Sequence, residues 1–439
     1  MNVSAINERH SKFSREFFYQ EDMGINQREG HYAMTSEKEG RANQSFFLLL
    51  LLFIGYTCVY VDKYTIGISL VTVSKDLGFD PSEKGIILGA FFLGYTIMQI
   101  PMGYLSNKFG SKAVLVFSLV GVGLFLMIFG FGFSLLFLVI IRFLTGALAH
   151  AGYPPSVSGF IATNVPAEKK GFAQTIMISS SGFAMFIGPL LVAPLLTAVG
   201  WRNTYYIMGG IVILIGLSLL ILPKQTKKMP SETEAAKHNL SFLEIIKDPV
   251  IWVLIVAAFL MNASVYGLTS WLASYLSEAR GLPIDQVGYV SSVTGIFILL
   301  AGVLGGYLIG RFFRGEEKQI IVLSGLIGAF CIYGVFMMQS LLASIVMLCI
   351  ANMLCIIAFS TLMSLPHQLF HPDEVSTKYA TINAGGVFGG FFAPTIIGAL
   401  VQKTASYQAA FLFLAGTFLF GGLAVLMIKG RKNKQKQLL

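Results

Sequence analysis

Apolar segments long enough to cross a bilayer recur along most of this chain. The runs, approximate at their ends, cover residues 46–70, 84–105, 112–133, 135–163, 171–198, 203–222, 249–276, 284–310, 318–338, 340–365, 377–401 and 406–428. A transmembrane helix needs about 20 apolar residues, at about 1.5 Å of rise per residue. The pattern therefore predicts an all-α membrane protein with twelve transmembrane helices.

A polar stretch divides these runs into two sets of six. Residues 223–248 are rich in charge and predict a cytoplasmic linker between an N-terminal six-helix half, 46–222, and a C-terminal six-helix half, 249–428. The polar residues 1–45 contain no apolar core of a secretory signal and predict a disordered cytoplasmic tail. Residues 429–439 form a basic cytoplasmic tail.

The two halves share landmarks at a nearly constant spacing. The tripeptide Gly-Tyr-Leu occurs at 103–105 and 306–308, an offset of 203 residues (306 − 103). Pro189 in the fifth run and Pro394 in the eleventh are 205 residues apart (394 − 189). A six-plus-six repeat is typical of secondary transporters, which bind substrate between their halves near the membrane midplane. We therefore expect two pseudo-symmetric halves that alternate access by rocking about a central site.

Two adjacent ionisable residues interrupt the first run. Asp62 and Lys63 lie near its middle, where a charge costs about 3 kcal/mol on insertion scales and usually faces protein or a water-filled path. Tyr56, Tyr60 and Lys63 have i, i+4, i+7 spacing and share one helical face, a candidate surface for a small anion. Asp62 is rotated by about 100° and points to a neighbouring helix. The alternative is that Lys63 pairs with Asp62 or extends to the membrane surface.

The fourth run carries Arg142, Gly146, His150 and Tyr153 on one predicted face. Asp62 and Arg142 both lie about two turns from the outer ends of their helices, so we expect an ion pair between them. Burial favours a neutral carboxyl group and an arginine favours a charged one, so a change in either moves a proton. Asp62, Arg142 and His150, which titrates near neutral pH, are therefore candidate proton-coupling residues. The alternatives are a permanent structural ion pair and a packing histidine.

Composition and charge agree with this topology. The 439 residues are 55% hydrophobic and 12% charged, whereas a soluble protein has about twice that charged fraction. With the termini in the cytoplasm, the inner loops and the C-terminal tail hold 18 Lys and Arg, against 5 in the outer loops. This positive-inside bias accounts for the net charge of +9 without a nucleic-acid partner. The outer-loop residues are Lys75, Lys84, Arg202, Arg280 and Lys403.

The loop between the second and third runs resembles a signature of the major facilitator superfamily. Residues 103–112, Gly-Tyr-Leu-Ser-Asn-Lys-Phe-Gly-Ser-Lys, are similar to Gly-x-Leu-x-Asp-Arg/Lys-x-Gly-Arg-Arg/Lys. Asn107 replaces the acid and Ser111 a basic residue. The resemblance extends over about residues 46–428 and implies a loop that clasps neighbouring helix ends in the outward-facing transporter, with a weaker ion pair here. Its gating-loop residues are Gly103, Asn107, Lys108, Gly110 and Lys112.

Two segments of the fourth run narrow the resemblance. Arg-Phe-Leu-Thr-Gly at 142–146 and Ala-Gly-Tyr-Pro-Pro at 151–155 are similar to the anion:cation symporter family, which includes sialin and the bacterial galactonate and hexuronate transporters. In that family the first helix carries Asp-Arg/Lys, as here, and the fourth helix an arginine matched by Arg142. A Glu often follows that arginine by seven residues, where this chain has Ala149. The resemblance implies an importer of organic anions that also moves protons.

The polar residues near the predicted midplane favour a monocarboxylate. Lys63 is the single cation on the predicted cavity face of the first helix, and a lysine in the membrane favours a carboxylate as its partner. The second half supplies neutral hydrogen-bonding and aromatic groups that suit a sugar, although each aromatic is also consistent with packing. We therefore predict a sugar acid, such as a hexuronate or an aldonate, as substrate. The candidate substrate-binding residues are Lys63, Tyr56, Tyr60, Tyr153, Ser181, Asn262, Tyr266, Trp271 and Asn383.

Two other transporter classes agree less well with the sequence. Organophosphate:phosphate antiporters resemble the chain at residues 152–155, but they hold phosphate with basic residues from both halves, and the seventh run has none. A drug exporter tends to have an acidic cavity. No nucleophile, base and orienting group occur at motif spacing and no metal-ligand spacing is present, so we predict neither an enzyme nor a cofactor. The expectation is a monomer that spans the cell membrane many times with both termini in the cytoplasm.

Overall fold

The computed structural model describes residues 47–223, 247–312 and 315–428. The predicted tails at 1–45 and 429–439, and most of the predicted linker, lie outside the described residues. The chain divides into two units, Met1–Leu51 and Leu52–Leu439. The described part of the first unit is the start of the first helix, and the sites discussed below all lie in the second.

The described residues are helical, and no strand occurs among them. The helices before the predicted linker are α1 (Phe47–Leu77), α2 (Pro81–Phe109), α3 (Ser111–Gly130), α4 (Leu135–Asn164) and a segment, Ala167–Ser218, that contains α5 and α6. Those after it are α7 (Pro249–Ser274), α8 (Ile284–Phe312), α9 (Glu317–Met337), α10 (Leu341–Leu369), α11 (Pro372–Thr404) and α12 (Gln408–Ala424). We call α1–α6 the first set and α7–α12 the second set.

The segment Ala167–Ser218 is two helices joined without a loop. Its 52 residues would extend about 78 Å as one helix, more than twice the hydrocarbon thickness of about 30 Å. Gly200 interrupts it with φ 78° and ψ 165°, a backbone conformation that favours glycine. We name the part before Gly200 α5 and the part after it α6. With eleven described helical segments apolar enough to span a membrane, this division confirms the predicted architecture.

The start of α2 is fixed by a complete capping signal. The Asp80 carboxylate accepts a hydrogen bond from the backbone N–H of Glu83 at 2.8 Å, and the Glu83 carboxylate accepts one from the N–H of Asp80 at 2.9 Å. Pro81 occupies the first helical position, where its missing N–H costs nothing. This rigid start sets the direction of Lys84, one residue further along the same turn.

Contacts at the helix ends repeat between the two sets. Lys112 at the start of α3 donates to the carbonyl oxygen of Leu222 at 2.5 Å, and Lys318 at the start of α9 donates to that of Ile428 at 2.6 Å. Each bond spans 110 residues, and the two are offset by 206 (318 − 112 and 428 − 222). An ammonium group stabilises the free carbonyls at a helix C-terminus. The internal repeat of the sequence therefore extends to side-chain contacts.

The predicted gating loop is shorter than its signature suggests. Gly103 and Lys108 lie within α2, Asn107 is exposed on its last turns, and Gly110 alone, with φ 88°, links α2 to α3. Lys112 already belongs to α3. The gating role of these residues stays a prediction, as do the domain boundaries drawn from the sequence.

The two repeated prolines lie at close contacts between the sets. A β-carbon at Gly85 of α2 would lie 2.6 Å from the carbonyl oxygen of Pro394, and one at Gly288 of α8 would lie 2.9 Å from that of Pro189. Small residues allow helix backbones to come this close in membranes. The helix pairs α2 with α11 and α5 with α8 thus join the two sets by equivalent contacts.

Candidate functional site

A buried charged cluster links α1 to α4. The guanidinium Nη1 of Arg142 donates to both carboxylate oxygens of Asp62, at 3.0 Å and 3.2 Å. The Nε2 of His150 lies 2.8 Å from Asp62 Oδ2. All three residues are at most 2% exposed. The predicted ion pair between Asp62 and Arg142 is therefore present, and His150 completes it as the Asp62 cluster.

The regular α-helix predicted for the fourth run is interrupted in α4. The helix is α-helical through Leu144, continues as a π turn over Thr145–Ala149 and a 3-10 turn over His150–Gly152, and is α-helical again from Tyr153. The prolines at 154–155 have no N–H to donate to the carbonyls four residues before them. This local loss of hydrogen bonds accompanies the widened turn, a feature common at functional sites.

The irregular turn keeps three of the predicted residues on one side of α4. Arg142 and His150 both reach Asp62 and lie 4.6 Å and 4.7 Å from the Phe91 ring centroid. A β-carbon at Gly146 would lie 2.1 Å from the carbonyl oxygen of Phe91, so this glycine allows α4 and α2 to approach closely. Tyr153 is completely buried and donates to the carbonyl oxygen of Leu52 at 3.1 Å. The structure gives Tyr153 a packing role between α4 and α1 and does not bring its hydroxyl to Lys63.

The ammonium group of Lys63 lies inside a ring of aromatic side chains. Its Nζ is 4.5 Å from the ring centroid of Tyr266, 5.3 Å from Phe92, 5.4 Å from Tyr95 and 5.8 Å from Tyr60. It donates to the Tyr266 hydroxyl at 3.3 Å. In the part of the chain that the structure describes, no carboxylate pairs with it. We call these five residues the Lys63 cage.

The cage explains how a lysine is accommodated there without a counter-ion. Aromatic faces attract a cation by about 0.5–2 kcal/mol each, more when water is excluded. The rings come from α1, α2 and α7, and Phe92 contacts Tyr266 at 4.6 Å between centroids, so the two sets meet at this point. Sequence reasoning missed Phe92 and Tyr95. Their i, i+3 spacing on α2 was the available signal, but it does not reveal which helix they face.

The face predicted on α1 is present. Tyr56 and Tyr60 stack with ring centroids 4.9 Å apart, and the Tyr60 hydroxyl lies 3.5 Å from that of Tyr56. Lys63 continues the same face into the cage, while Asp62 points to α4. The two adjacent ionisable residues therefore have separate surroundings, as the helical geometry predicts.

The other predicted substrate contacts are dispersed. Asn262 is buried on α7 beside Gly386, and its Nδ2 has no hydrogen-bond partner among the described residues. Ser181 donates to the carbonyl oxygen of Ile178 in its own helix at 3.0 Å, and Asn383 is half-buried on α11. An unpaired buried amide is costly, so Asn262, unlike Ser181, has a hydrogen-bond donor free for a substrate. Their roles stay predictions.

A second charged cluster lies where α2 begins and α7 ends. Lys84 Nζ pairs with Glu278 Oε1 at 2.5 Å, and the Tyr407 hydroxyl donates to Glu278 Oε2 at 2.7 Å. The Lys84 ammonium also lies 5.4 Å from the ring of Trp271, which the sequence placed in the substrate site. Burial and the Glu278 carboxylate raise the pKa of Tyr407, so its hydroxyl stays protonated. We call these four residues the Lys84 cluster.

Sequence reasoning missed the Lys84 cluster because it assigned Lys84 to an outer loop. The structure places this residue in the first turn of α2, with its side chain only 4% exposed. A lysine is rarely buried without a partner. The polar residues Pro81–Lys84 had suggested that the helix began later, and the capping signal at Asp80 would have corrected this.

Membrane-spanning helices in two repeated sets of six, with buried charges between them, define a polytopic transporter fold. The chain belongs to the Major Facilitator Superfamily, whose model matches residues 52–394. This confirms the superfamily predicted from the loop at 103–112, and it makes the chain a multi-pass membrane protein of a family of transporters.

Named relatives agree with the predicted resemblance to anion transporters. The chain is 28% identical over 437 residues to the probable galactarate/D-glucarate transporter GudP of Escherichia coli K12, covering 90% of this chain and 96% of that protein. It is 25% identical over 407 residues to a putative tartrate transporter of Agrobacterium vitis, covering 87% and 88%.

A solved structure supports the fold alone. A bacterial homologue of the human lysosomal transporter Spinster, in an inward-facing and unoccupied conformation, aligns with a TM-score of 0.72 at 16% identity. The alignment covers 87% of this chain and 94% of that one.

Proposed function

We propose that this protein is a secondary active transporter that imports an organic anion, a sugar acid such as a hexuronate or an aldonate, together with protons. The observation that carries the proposal is Lys63, a cation between the two sets with no carboxylate partner among the described residues, next in sequence to the buried Asp62 cluster. The relatives named for galactarate, D-glucarate and tartrate support an organic acid as substrate.

One carboxylate group suits this site better than two. The acids named for those relatives have a carboxylate at each end, whereas the described part of this cavity offers one cation without a carboxylate partner. Lys63 binds the carboxylate, displacing the Tyr266 hydroxyl as its hydrogen-bond partner. Tyr60, Tyr95 and Tyr266 then supply rings and hydroxyls for the body of a sugar. A monocarboxylate fits both the charge and the surroundings.

Asp62 carries the coupled proton in this proposal. Both of its oxygens are occupied, by Arg142 and His150, so protonation weakens the bonds that hold α1 to α4. Because Lys63 is the next residue on α1, the loosening reaches the substrate site directly. His150 is the second titratable group and exchanges the proton with Asp62 across 2.8 Å.

The antiporter alternative lacks its second cation. The second set contains a buried lysine, Lys378 on α11, but it pairs with Glu374 at 2.9 Å and with Asp248 at 3.3 Å. A lysine neutralised by two carboxylates has little attraction left for a phosphate of charge near −2. We therefore favour acid import over organophosphate exchange.

The test is uptake into proteoliposomes, with and without an inward proton gradient. We expect gradient-driven accumulation of labelled glucuronate or gluconate, weaker uptake of glucarate and galactarate, and loss of accumulation when an ionophore collapses the gradient. Sugar phosphate entry that depends on internal phosphate would replace the proposal with antiport. Equal accumulation of monoacids and diacids would contradict the preference for one carboxylate group that we infer from the Lys63 cage.

A further inference from the structure

Among the described residues, the ion pair of Lys84 with Glu278 in the Lys84 cluster connects the two sets. Lys84 belongs to α2 of the first set, and its partner Glu278 follows α7 of the second set. Tyr407, which precedes α12, fixes the other oxygen of Glu278. The other ion pairs among the described residues, such as Asp62 with Arg142 and Lys378 with Asp248, lie within one set.

A neighbouring acid at the same end of the molecule gives the contrast. Asp76, near the end of α1, accepts from Trp201 Nε1 at 2.9 Å and pairs with Arg202 at 2.5 Å, both on α6 of its own set. Tyr407 is offset from Trp201 by 206 residues (407 − 201), the same offset as the helix-end lysines. Glu278 thus has the place of Asp76 in the repeat, but its cation comes from the other set.

The backbones around the Lys84 cluster are in tight contact. Trp271, whose ring contacts Lys84, donates through Nε1 to the carbonyl oxygen of Pro394 at 3.0 Å. A β-carbon at Gly398 would lie 2.4 Å from the carbonyl oxygen of Pro81, beside the contact of Gly85 with Pro394. The ion pair therefore sits against a closed contact between α2, α7 and α11, which must open if this end is to admit substrate.

We propose that Lys84 and Glu278 are a gating pair, which holds this end of the transport path closed and breaks each time the path opens to it. Tyr407 and Trp271 position the two partners. The gating role rests on the proposed function as a transporter. We assign this end to the outer side from the topology predicted by the sequence, in which both termini are cytoplasmic. When α2 and α7 separate, both charges return to water, so the strength of the pair sets the closed fraction.

Accessibility of a cysteine beneath the pair tests this without any substrate. Ser270 on α7 is buried, with its backbone carbonyl against Gly67 of α1, so Ser270→Cys is shielded while this end is closed. Intact cells are treated with a membrane-impermeant maleimide. The chain without Ser270→Cys gives the background of its own four cysteines.

Glu278→Gln should raise the labelling rate by about fivefold or more, equivalent to about 1 kcal/mol of lost closure. The charge swap Lys84→Glu with Glu278→Lys should return the rate toward the parent value. Asp76→Asn is the matched control, because its pair lies within one set, and it should change the rate by less than about twofold. Size-exclusion elution and thermal unfolding of each purified variant separate opening from misfolding.

Each result of this experiment supports or overturns the gating pair. An unchanged rate in Glu278→Gln, no recovery in the swap, or an equal rise in Asp76→Asn would overturn the gating pair. A rise seen only in inside-out vesicles would overturn its assignment to the outer side. If the swap restores protection but no acid is accumulated in proteoliposomes, the gating pair stands and the proposed function fails.

Discussion

The two sets of helices share their packing contacts and helix-end lysines but not the charged residues near the transport path. Lys112 and Lys318 cap equivalent helix ends, and Gly85 and Gly288 make equivalent close approaches. At the 203-residue offset, however, Lys63 corresponds to Tyr266, its own contact across the cavity.

The other charged positions diverge in the same way. At the 205-residue offset of the prolines, His150 corresponds to Cys355, and at 203 Lys84 corresponds to the buried Val287. Contacts present in both sets are thus the ones that build the fold. Side chains whose chemistry is present in one set alone are the candidates for function.

The largest effect should come from the Asp62 cluster. Asp62→Asn keeps the shape but removes the charge, so accumulation driven by a proton gradient should fall to about the equilibrium level while exchange of internal for external acid continues. Proteoliposome uptake and counterflow measure the two. Asp76→Asn, on the same helix, is the control and should keep accumulation. Gradient-driven accumulation in Asp62→Asn would assign the proton to another group.

The next effect concerns the cation that the second set lacks. Lys63→Ala should weaken acid binding by about 10- to 100-fold, because a hydrogen bond to a charged group contributes about 1.5–3 kcal/mol. Tyr266→Phe, at the corresponding position, should change it by less than about tenfold. Competition against a labelled acid measures both affinities. Equal losses of acid affinity in Lys63→Ala and Tyr266→Phe would mean that binding does not depend on the cation that the first set alone supplies.

A smaller effect tests the aromatic cage. Phe92→Leu should weaken acid binding by about 2- to 30-fold, since one cation-aromatic contact contributes about 0.5–2 kcal/mol, and Phe92→Tyr should restore it. Phe388→Leu on α11, whose ring contacts Phe391 and Phe392 instead of Lys63, is the matched control. The same loss in the Phe388 variant would point to general packing.

The smallest effect belongs to the shared contacts. Lys112→Met and Lys318→Met should each lower the stability of the purified protein by about 1 kcal/mol or less, and by similar amounts, because both ammonium groups cap helix ends. Thermal unfolding in detergent compares them. A loss of transport confined to Lys112→Met would instead give the loop at 103–112 the gating role that its resemblance implies.

Much of this arrangement follows from periodicity. The twelve helices, the direction of Asp62 and its ion pair with Arg142 were all predicted, because apolar runs and a regular 3.6-residue turn suffice for them. A regular helix was the wrong expectation for α4, where a π turn and a 3-10 turn interrupt the α-helix between Arg142 and Tyr153. The roles of Phe92, Tyr95 and Lys84 were not predicted, because their partners lie on helices distant in sequence and local spacing does not give interhelical contacts.

The Lys63 cage has a consequence for the unloaded carrier. A substrate-binding cation that needed its anion as the only neutralising partner would be expensive to move through the membrane interior alone, and the carrier would be confined to exchanging one anion for another. Four aromatic rings and a tyrosine hydroxyl already compensate this ammonium. In the proposed transporter, the empty protein therefore resets without cargo, which permits net uptake of the acid into a cell that contains none of it.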